Sequence, residues 1–420
     1  MKPLLPAFDG NAVVRRLFSE PVSPIAYKDA PEVVASWQLP RHELPQSYSP
    51  IVPVYEWGEY PSPMQSVIKL EWEMPPKSTL YELRDVYMAC GYVFSRTGGY
   101  FRDCQYMYPD DTGKGGLSNK QFDYLDARAQ SFFYSSPKSN LWQSPEVGNG
   151  YILPHRPRDM AAQEINEPIF YVNMGWPGFG HVIMDYVQGL WALPLLPSCV
   201  PFKLWCLSEQ YATKPFQTLE LFIKPFGLGL DRMIRTRDIS FVRQIYMPSR
   251  SHMLKAYITP EAMDVYKTIS KYYAPDLDDV ISKKIYISRR FSPHRRRFID
   301  IDACEASVRK HGFDVLYPEK IDSIEMIRLF ANATHVAGEL GSALHHIVFC
   351  RRLEHFLVIS SAEFFKSTGN DFATTLAFYQ LPMHVILGRK TETSSVAEAS
   401  WTLNPKQFET GLTQWLKASF

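Results

Sequence analysis

The chain has almost no net charge, with 45 Lys and Arg against 44 Asp and Glu. That balance argues against a dedicated nucleic-acid binder, which carries a basic excess or patch. No run of about 18 apolar residues occurs, so no membrane-spanning helix is expected. The most apolar stretch, VIMDYVQGLWALPLL, is broken by Asp185, Gln188 and a proline. The first residues, MKPLLPAFDGNAVVRRLFSE, hold Pro3, Pro6 and Asp9 but no long apolar core, and do not read as a secretory signal. The six cysteines (Cys90, Cys104, Cys199, Cys206, Cys304 and Cys350) form no C-x-x-C pair and fit no zinc knuckle. Scattered thiols without a signal point to reduced cysteines in the cytoplasm, a Cys90–Cys104 disulfide being the alternative. No strand is followed by a clean G-x-G-x-x-G, which counts against a dinucleotide-dependent oxidoreductase. There is no internal repeat and no low-complexity segment.

What is present is enough chain for two or three domains: 420 residues, 45% hydrophobic and 21% charged. Residues 1–155 are rich in proline, tyrosine and tryptophan. Short β-type runs (IVPVYEW, SVIKLEW, VYMACGYVF) sit between turn clusters, and residues 109–120 read as an exposed loop. From 156 the pattern becomes alternating strand and helix. IFYVNM, FKLWCLS and ISFVRQIYM read as strands. Residues 181–193, a segment ending at Gly227, and a segment with Thr259 as N-cap and Pro260 behind it read as helices. The alternation restarts after residues 274–282. There KKIYISR, FDVLYP, THVAG, EHFLVIS and MHVILG read as strands. The intervening helices are closed by Gly312, capped by Asp322 with Glu325 three residues on, and begun at Ser342. Such βαβ repetition implies parallel sheets covered by helices. The boundaries drawn are a β-rich region 1–155, Rossmann-like domains 156–275 and 276–400, and a helix 401–420. This last helix, with Asn404 as N-cap and Phe408, Leu412, Trp415 and Leu416 on one face, is expected to pack back across the domains.

Ligands of doubly wound sheets sit beyond the carboxyl ends of the strands, and three stretches fall there. In AGELGSALHH, Gly338 and Gly341 allow a sharp turn and Ser342 opens a helix whose free N–H groups suit an anion. An ordinary tight turn is the competing reading. His345 and His346 are adjacent, so they point about 100° apart and make a poor metal pair. In YISRRFSPHRRRF, Arg289 is the favoured ligand contact, while Arg290, Arg295, Arg296 and Arg297 read mostly as a solvated basic loop. In NMGWPGFGHVIMDYVQGLW, His181 and Asp185 share a helical face, either as a general-base pair or as simple capping groups.

Together these stretches resemble glycosyltransferase family 61, whose pattern runs Y-I-S-R…R-R and then G-F-x-V…E-x-L…E…F-x-x-A-x-x-I-x-G-x-H-G-A-x-L-x-N-x-x-F. Here it appears as YISRRFSPHRRRF and HGFDVLYPEKIDSIEMIRLFANATHVAGELGSALHHIVF, with GHVIMD upstream. The resemblance covers residues 165–360 and little of the first 150. It implies an α/β, GT-B-like fold of two Rossmann-like domains with a β-rich N-terminal region. It further implies an inverting transferase using a nucleotide sugar, UDP-linked in many members, and no essential metal or other cofactor. The bacterial members serve capsule or exopolysaccharide synthesis, and the chain is similar to that cytoplasmic type. Partners would be the nucleotide sugar and a glycan or glycolipid acceptor, with peripheral membrane association compatible. By the resemblance Asp185 is the base with His181 beside it. Arg289, Gly341, Ser342, His346, Glu339 and His345 would bind the donor. The chain departs from the pattern at Leu340, where the family has histidine, at His346, where it has asparagine, and at DIDA, which replaces an N-E pair. The Leu340 substitution keeps open a binding protein of the same fold that has lost its chemistry.

Overall fold

The computed structural model describes residues 33–38, 49–57, 67–70, 77–89, 92–94, 163–171, 180, 182–196, 201–207, 219–236, 240–254, 256–276, 283–292, 296–391 and 399–418. At a few of these positions, Asp185 among them, it describes the backbone alone. The expected loop at 109–120, the Cys90–Cys104 pair and His181 lie outside the described residues.

In chain order the strands begin with β1 (Val33–Gln38), β2 (Ile51–Glu56), β3 (Val67–Lys69), β4 (Thr79–Ala89) and β5 (Tyr92–Phe94). Next come β6 (Gln163–Ile165), β7 (Ile169–Tyr171), β8 (Lys203–Leu207), β9 (Met233–Thr236) and β10 (Ser240–Pro248). Short β11 (His252–Met253) and β12 (Tyr257–Ile258) precede β13 (Lys283–Ile287), β14 (Asp314–Leu316) and β15 (Ala333–Glu339). The last are β16 (His355–Ser361), β17 (Met383–Lys390) and β18 (Trp401–Thr402). The α-helices used below are α1 (Pro260–Tyr273), α2 (Ile301–Lys310), α3 (Ser323–Ala331), α4 (Ala362–Thr368), α5 (Ala373–Tyr379) and α6 (Pro405–Lys417).

The chain falls into two compact units, one from Met1–His42 and Pro76–Met253, the other from Glu43–Pro75 and Leu254–Phe420. This division replaces the boundaries drawn at 155/156 and 275/276. Composition groups residues 43–75 with the first region, yet β2 pairs in parallel with β17, Val54 opposite Met383 and Glu56 opposite Val385. The helix α1 belongs to the second unit, where Ser270 Oγ donates to the Phe349 carbonyl at 2.9 Å. The N-terminal strands therefore build no β-rich domain of their own among the described residues. They extend the edges of the two sheets, whose open N–H and C=O groups they pair.

In the second unit the sheet order is β14-β13-β15-β16-β17-β2-β3. It is parallel from β14 to β2. The strand residues alternate between two buried faces, as a sheet covered on both sides requires. Ile285, Ile287, Val336, Phe356, Val358 and Val385 join one apolar cluster with Phe330, Leu344, Ile347 and Phe372. Their neighbours Tyr286, Ala337, Leu357, Ile359 and Ile386 join another with Cys304, Val308, Phe408, Leu412 and Trp415. The final helix thus docks on the sheet of its own unit, because its apolar stripe fits the second cluster. Its N-cap is as expected, Asn404 accepting from the Lys406 and Gln407 amides. So are those of α1, where Thr259 accepts from Ala262 N, and of α3, where Asp322 accepts from Ile324 N and Glu325 N. The helices α4 and α5 went unread in the sequence, where polar 366–371 hides their apolar face.

In the first unit the sheet order is β1-β4-β10-β7-β8-β9. The segment β10-β7-β8-β9 is parallel, and β4 runs antiparallel to β10. Leu83, Val86, Ile169, Tyr171, Val242 and Ile245 form its core. The helix expected over 181–193 is irregular: a π-turn, Val182–Tyr186, runs into a 3-10 segment, Val187–Leu195, with Pro194 inside it. Proline lacks the amide an α-helix would use there.

Candidate functional site

Each sheet reverses its winding once, and a parallel sheet opens a crevice where it does so. In the second unit the reversal lies between β13 and β15, since β14 lies on one side of β13 and β15 to β17 on the other. Beyond these strand ends is a pocket lined by Arg289, Arg296, Glu339, Leu340, Ile359, Ser360, Ser361, Phe364 and Trp401.

The chain leaves β13 through Ser288 and Arg289. The Arg289 amide donates to Glu339 Oε1 at 2.9 Å, and its Nη2 donates to Ser292 Oγ at 2.9 Å. Its Nε is buried and has no hydrogen-bond partner, so a donor is left over in a pocket wall. Burial lowers the guanidinium's pKa, but arginine remains a cation. Both glycines of the turn sit at close approaches, and only at Gly338 is the neighbour fixed backbone and Cβ. A Cβ on Gly338 would lie 2.8 Å from Ile287 Cβ, where β13 and β15 meet. One on Gly341 would overlap Arg289 Nη1 and lie 3.3 Å from Cζ. Gly341 therefore lets the guanidinium lie against the start of the 3-10 helix Ser342–Phe349. Ser342 is exposed at that start.

Arg290 is already engaged. Its Nε donates to Glu305 Oε1 at 3.0 Å and its Nη2 to Asp302. Glu305 is buried and also accepts from Ser288 Oγ, Arg309 and Tyr317. Burial pushes its carboxyl up, but the hydrogen bonds from Arg290, Ser288 and Tyr317 outweigh that and hold it below its usual value. This network fixes the backbone on which Arg289 is mounted. Arg296 does reach the pocket. Its guanidinium lies 3.9 Å from the Phe364 ring centroid and donates to the Leu340 carbonyl at 3.3 Å. Its φ of 59° is left-handed, a backbone state uncommon outside glycine. Trp401 supports it, the indole Nε1 donating to the Arg296 carbonyl at 3.3 Å.

Glu339 closes the floor at 2% exposure. Burial pushes its carboxyl up to about 7, against the pull of Arg289. His345 and His346 are placed elsewhere. His345 stacks on Phe372 with centroids 4.7 Å apart, and His346 on Phe330 at 5.2 Å. Both are buried in the apolar face below the helix, and neither lines this pocket. The helix directs both toward its core-facing neighbours. Burial holds His346 down to about 4, so it is neutral at pH 7. Leu340 is 5% exposed and packed in the core, and among the described residues no histidine lines the pocket. Sequence reasoning passed over Ser360 and Ser361. The rule that ligands gather at carboxyl ends would have found them at the end of β16.

In the first unit the winding reverses between β10 and β7. The chain leaves β7 at Tyr171 and enters the π-turn that carries Asp185; His181 and the Asp185 side chain lie outside the description. The turn's continuation is latched to the segment after β10. Gln188 Oε1 accepts from the Ser251 amide at 2.6 Å, and Trp191 Nε1 donates to the Ser249 carbonyl at 3.1 Å. π-Turns occur often at functional sites.

The family model described as Glycosyltransferase 61 matches residues 179–355. These residues form a glycosyltransferase 61 domain. The glycosyltransferase match begins two residues before His181 and ends at the first residue of β16, so it takes in the π-turn, Arg289 and the Gly341 turn. The chain has no match among curated proteins. This match supports glycosyltransferase activity and implies sugar donor and acceptor substrates. No helix among the described residues is long and apolar enough to cross a membrane.

Proposed function

We propose that this glycosyltransferase moves a sugar from a nucleotide donor, UDP-linked, to a glycan or glycolipid acceptor with inversion, in bacterial capsule or exopolysaccharide synthesis in the cytoplasm. On this reading the two α/β units are the two halves of a GT-B-type fold. The observation that carries it is the pocket beyond β13 and β15, where Arg289 presents a buried, unpartnered Nε beside the Gly341 helix start. Arg289, the Ser342 end of the helix and Arg296 would hold the diphosphate. Two guanidiniums supply the positive charge that the leaving nucleoside diphosphate needs as the glycosidic bond breaks, so we read the reaction as metal-independent. Asp185, with His181 beside it, would take the proton from the acceptor hydroxyl for a single in-line displacement.

The test is calorimetric titration with UDP, GDP and CMP, followed by transfer assays with the matching sugar nucleotides, with and without EDTA. Tight UDP binding lost in Arg289→Ala, and EDTA-insensitive transfer lost in Asp185→Asn, are expected. Unchanged UDP affinity in Arg289→Ala would overturn the donor site. One observation favours a second reading, a nucleotide-binding protein without chemistry: Leu340 offers no imidazole and neither neighbouring histidine lines the pocket. Donor hydrolysis across a panel of sugar nucleotides separates the two.

A further inference from the structure

The donor pocket contains a negative group where an anion is to bind. Glu339 lines the same wall as Arg289 and Arg296, buried to 2% exposure, with Oε1 already accepting the Arg289 amide. A diphosphate brings at least two further negative charges into a crevice of low dielectric, where like charges repel strongly. Arg289 and Arg296 offset part of that repulsion, but the same two cations must also hold the diphosphate. Arg290 neighbours Glu339 but is tied to Glu305 and Asp302, and Glu305 is itself an anion near Glu339. Among the described residues, Tyr286 and Cys304 beside it are held protonated by burial and are neutral. From β16 and α4 the pocket receives Ser360, Ser361 and Phe364, none charged.

We propose that Glu339 makes donor binding proton-linked: the pocket accepts a diphosphate with Glu339 as a neutral carboxylic acid, and the proton is released when the nucleoside diphosphate leaves. A carboxylic acid removes the repulsion and gains an O–H donor, while its carbonyl oxygen keeps the Arg289 amide bond. In the empty pocket the carboxyl sits at about 7. Its folded value is thus raised, and a second anion raises it further. Above that pH the empty site is ionised, and binding must draw one proton from solution. Affinity for the diphosphate then falls by up to about tenfold per pH unit above neutrality. The inference rests on the donor-site reading given above.

Calorimetry with UDP at pH 8, where UDP's own phosphate is already fully ionised, tests it in two buffers of different ionisation enthalpy. The observed heats should differ by the uptake of close to one proton. Affinity should drop several-fold between pH 7 and pH 8.5. Glu339→Gln should abolish the proton uptake and bind UDP at pH 8.5 as tightly as the unaltered protein does at pH 6. Equal heats in both buffers, with an affinity flat from pH 7 to 8.5, overturn the inference while leaving the donor site intact; this comparison needs no variant. Proton uptake persisting in Glu339→Gln also overturns it. An absence of UDP binding at every pH removes the donor-site reading and the inference with it.

Discussion

The two sheets reach their winding reversals by similar routes but furnish them differently. In the second unit, side chains fixed by charge meet there: Arg289 on a backbone braced by the Glu305 network, Arg296 on an aromatic ring, Glu339 beneath. In the first unit an irregular helical turn sits at the corresponding place, held from behind by Gln188 and Trp191. A rigid cationic wall suits holding an anion in one place. The proposed function gives the latched turn the general base, Asp185. On the function proposed above, grip falls to one unit and chemistry to the other.

The sharpest way to break that assignment is Asp185→Asn. Transfer should fall about 10²- to 10⁴-fold, as for loss of a general base, with UDP affinity unchanged. A joint loss of affinity would mean that the units do not divide the labour. Trp415→Ala should destabilise the second unit by about 3–5 kcal/mol, seen in denaturant unfolding, because the indole is fully buried against its sheet. Arg289→Ala should weaken UDP binding by roughly 10- to 100-fold, the range for a hydrogen bond to a charged group, with the unfolding midpoint little changed. Gly341→Ala should weaken it about tenfold, because the new Cβ occupies the space of Arg289 Nη1.

The smallest effect is a pH dependence confined to the second unit. Burial holds His335 and His384 down to about 4 and lowers His355 as well. A lowered folded value means that the unfolded chain takes up protons first. Stability is therefore full above about 6.5, the ordinary histidine value, and is lost as pH falls toward 4. Thermal melts from pH 7.5 to 4.5 should show the midpoint falling, and His384→Phe should flatten the fall. Glu339, raised when folded to about 7, opposes this in part.

Much of this was legible in the sequence. The strands from KKIYISR to MHVILG and the caps Thr259, Asp322 and Asn404 follow from patterns spanning ten or fifteen residues. What escaped depends on distant partners. Nothing local in IVPVYEW says that it pairs with a strand more than 300 residues away. The run RRRF looks solvated until Phe364 and Trp401 arrive to receive Arg296. The two histidines read as site residues because they follow a glycine turn. Their fate was set by Phe330 and Phe372, which lie outside the motif.

That distant pairing has a consequence for synthesis. Trp57, just past β2, donates to His384 Nδ1 at 2.8 Å across 327 residues of chain. A ribosome adding about 5–20 residues per second needs on the order of 20–60 s to cover that interval. For that time β2 and β3 are made but have no sheet to join, and an unpaired strand is an invitation to wrong partners. The polypeptide emerges with one edge of its second sheet first and β17, the strand that edge must join, near the last. In the cell its yield would depend on what shields those early strands while the rest is translated.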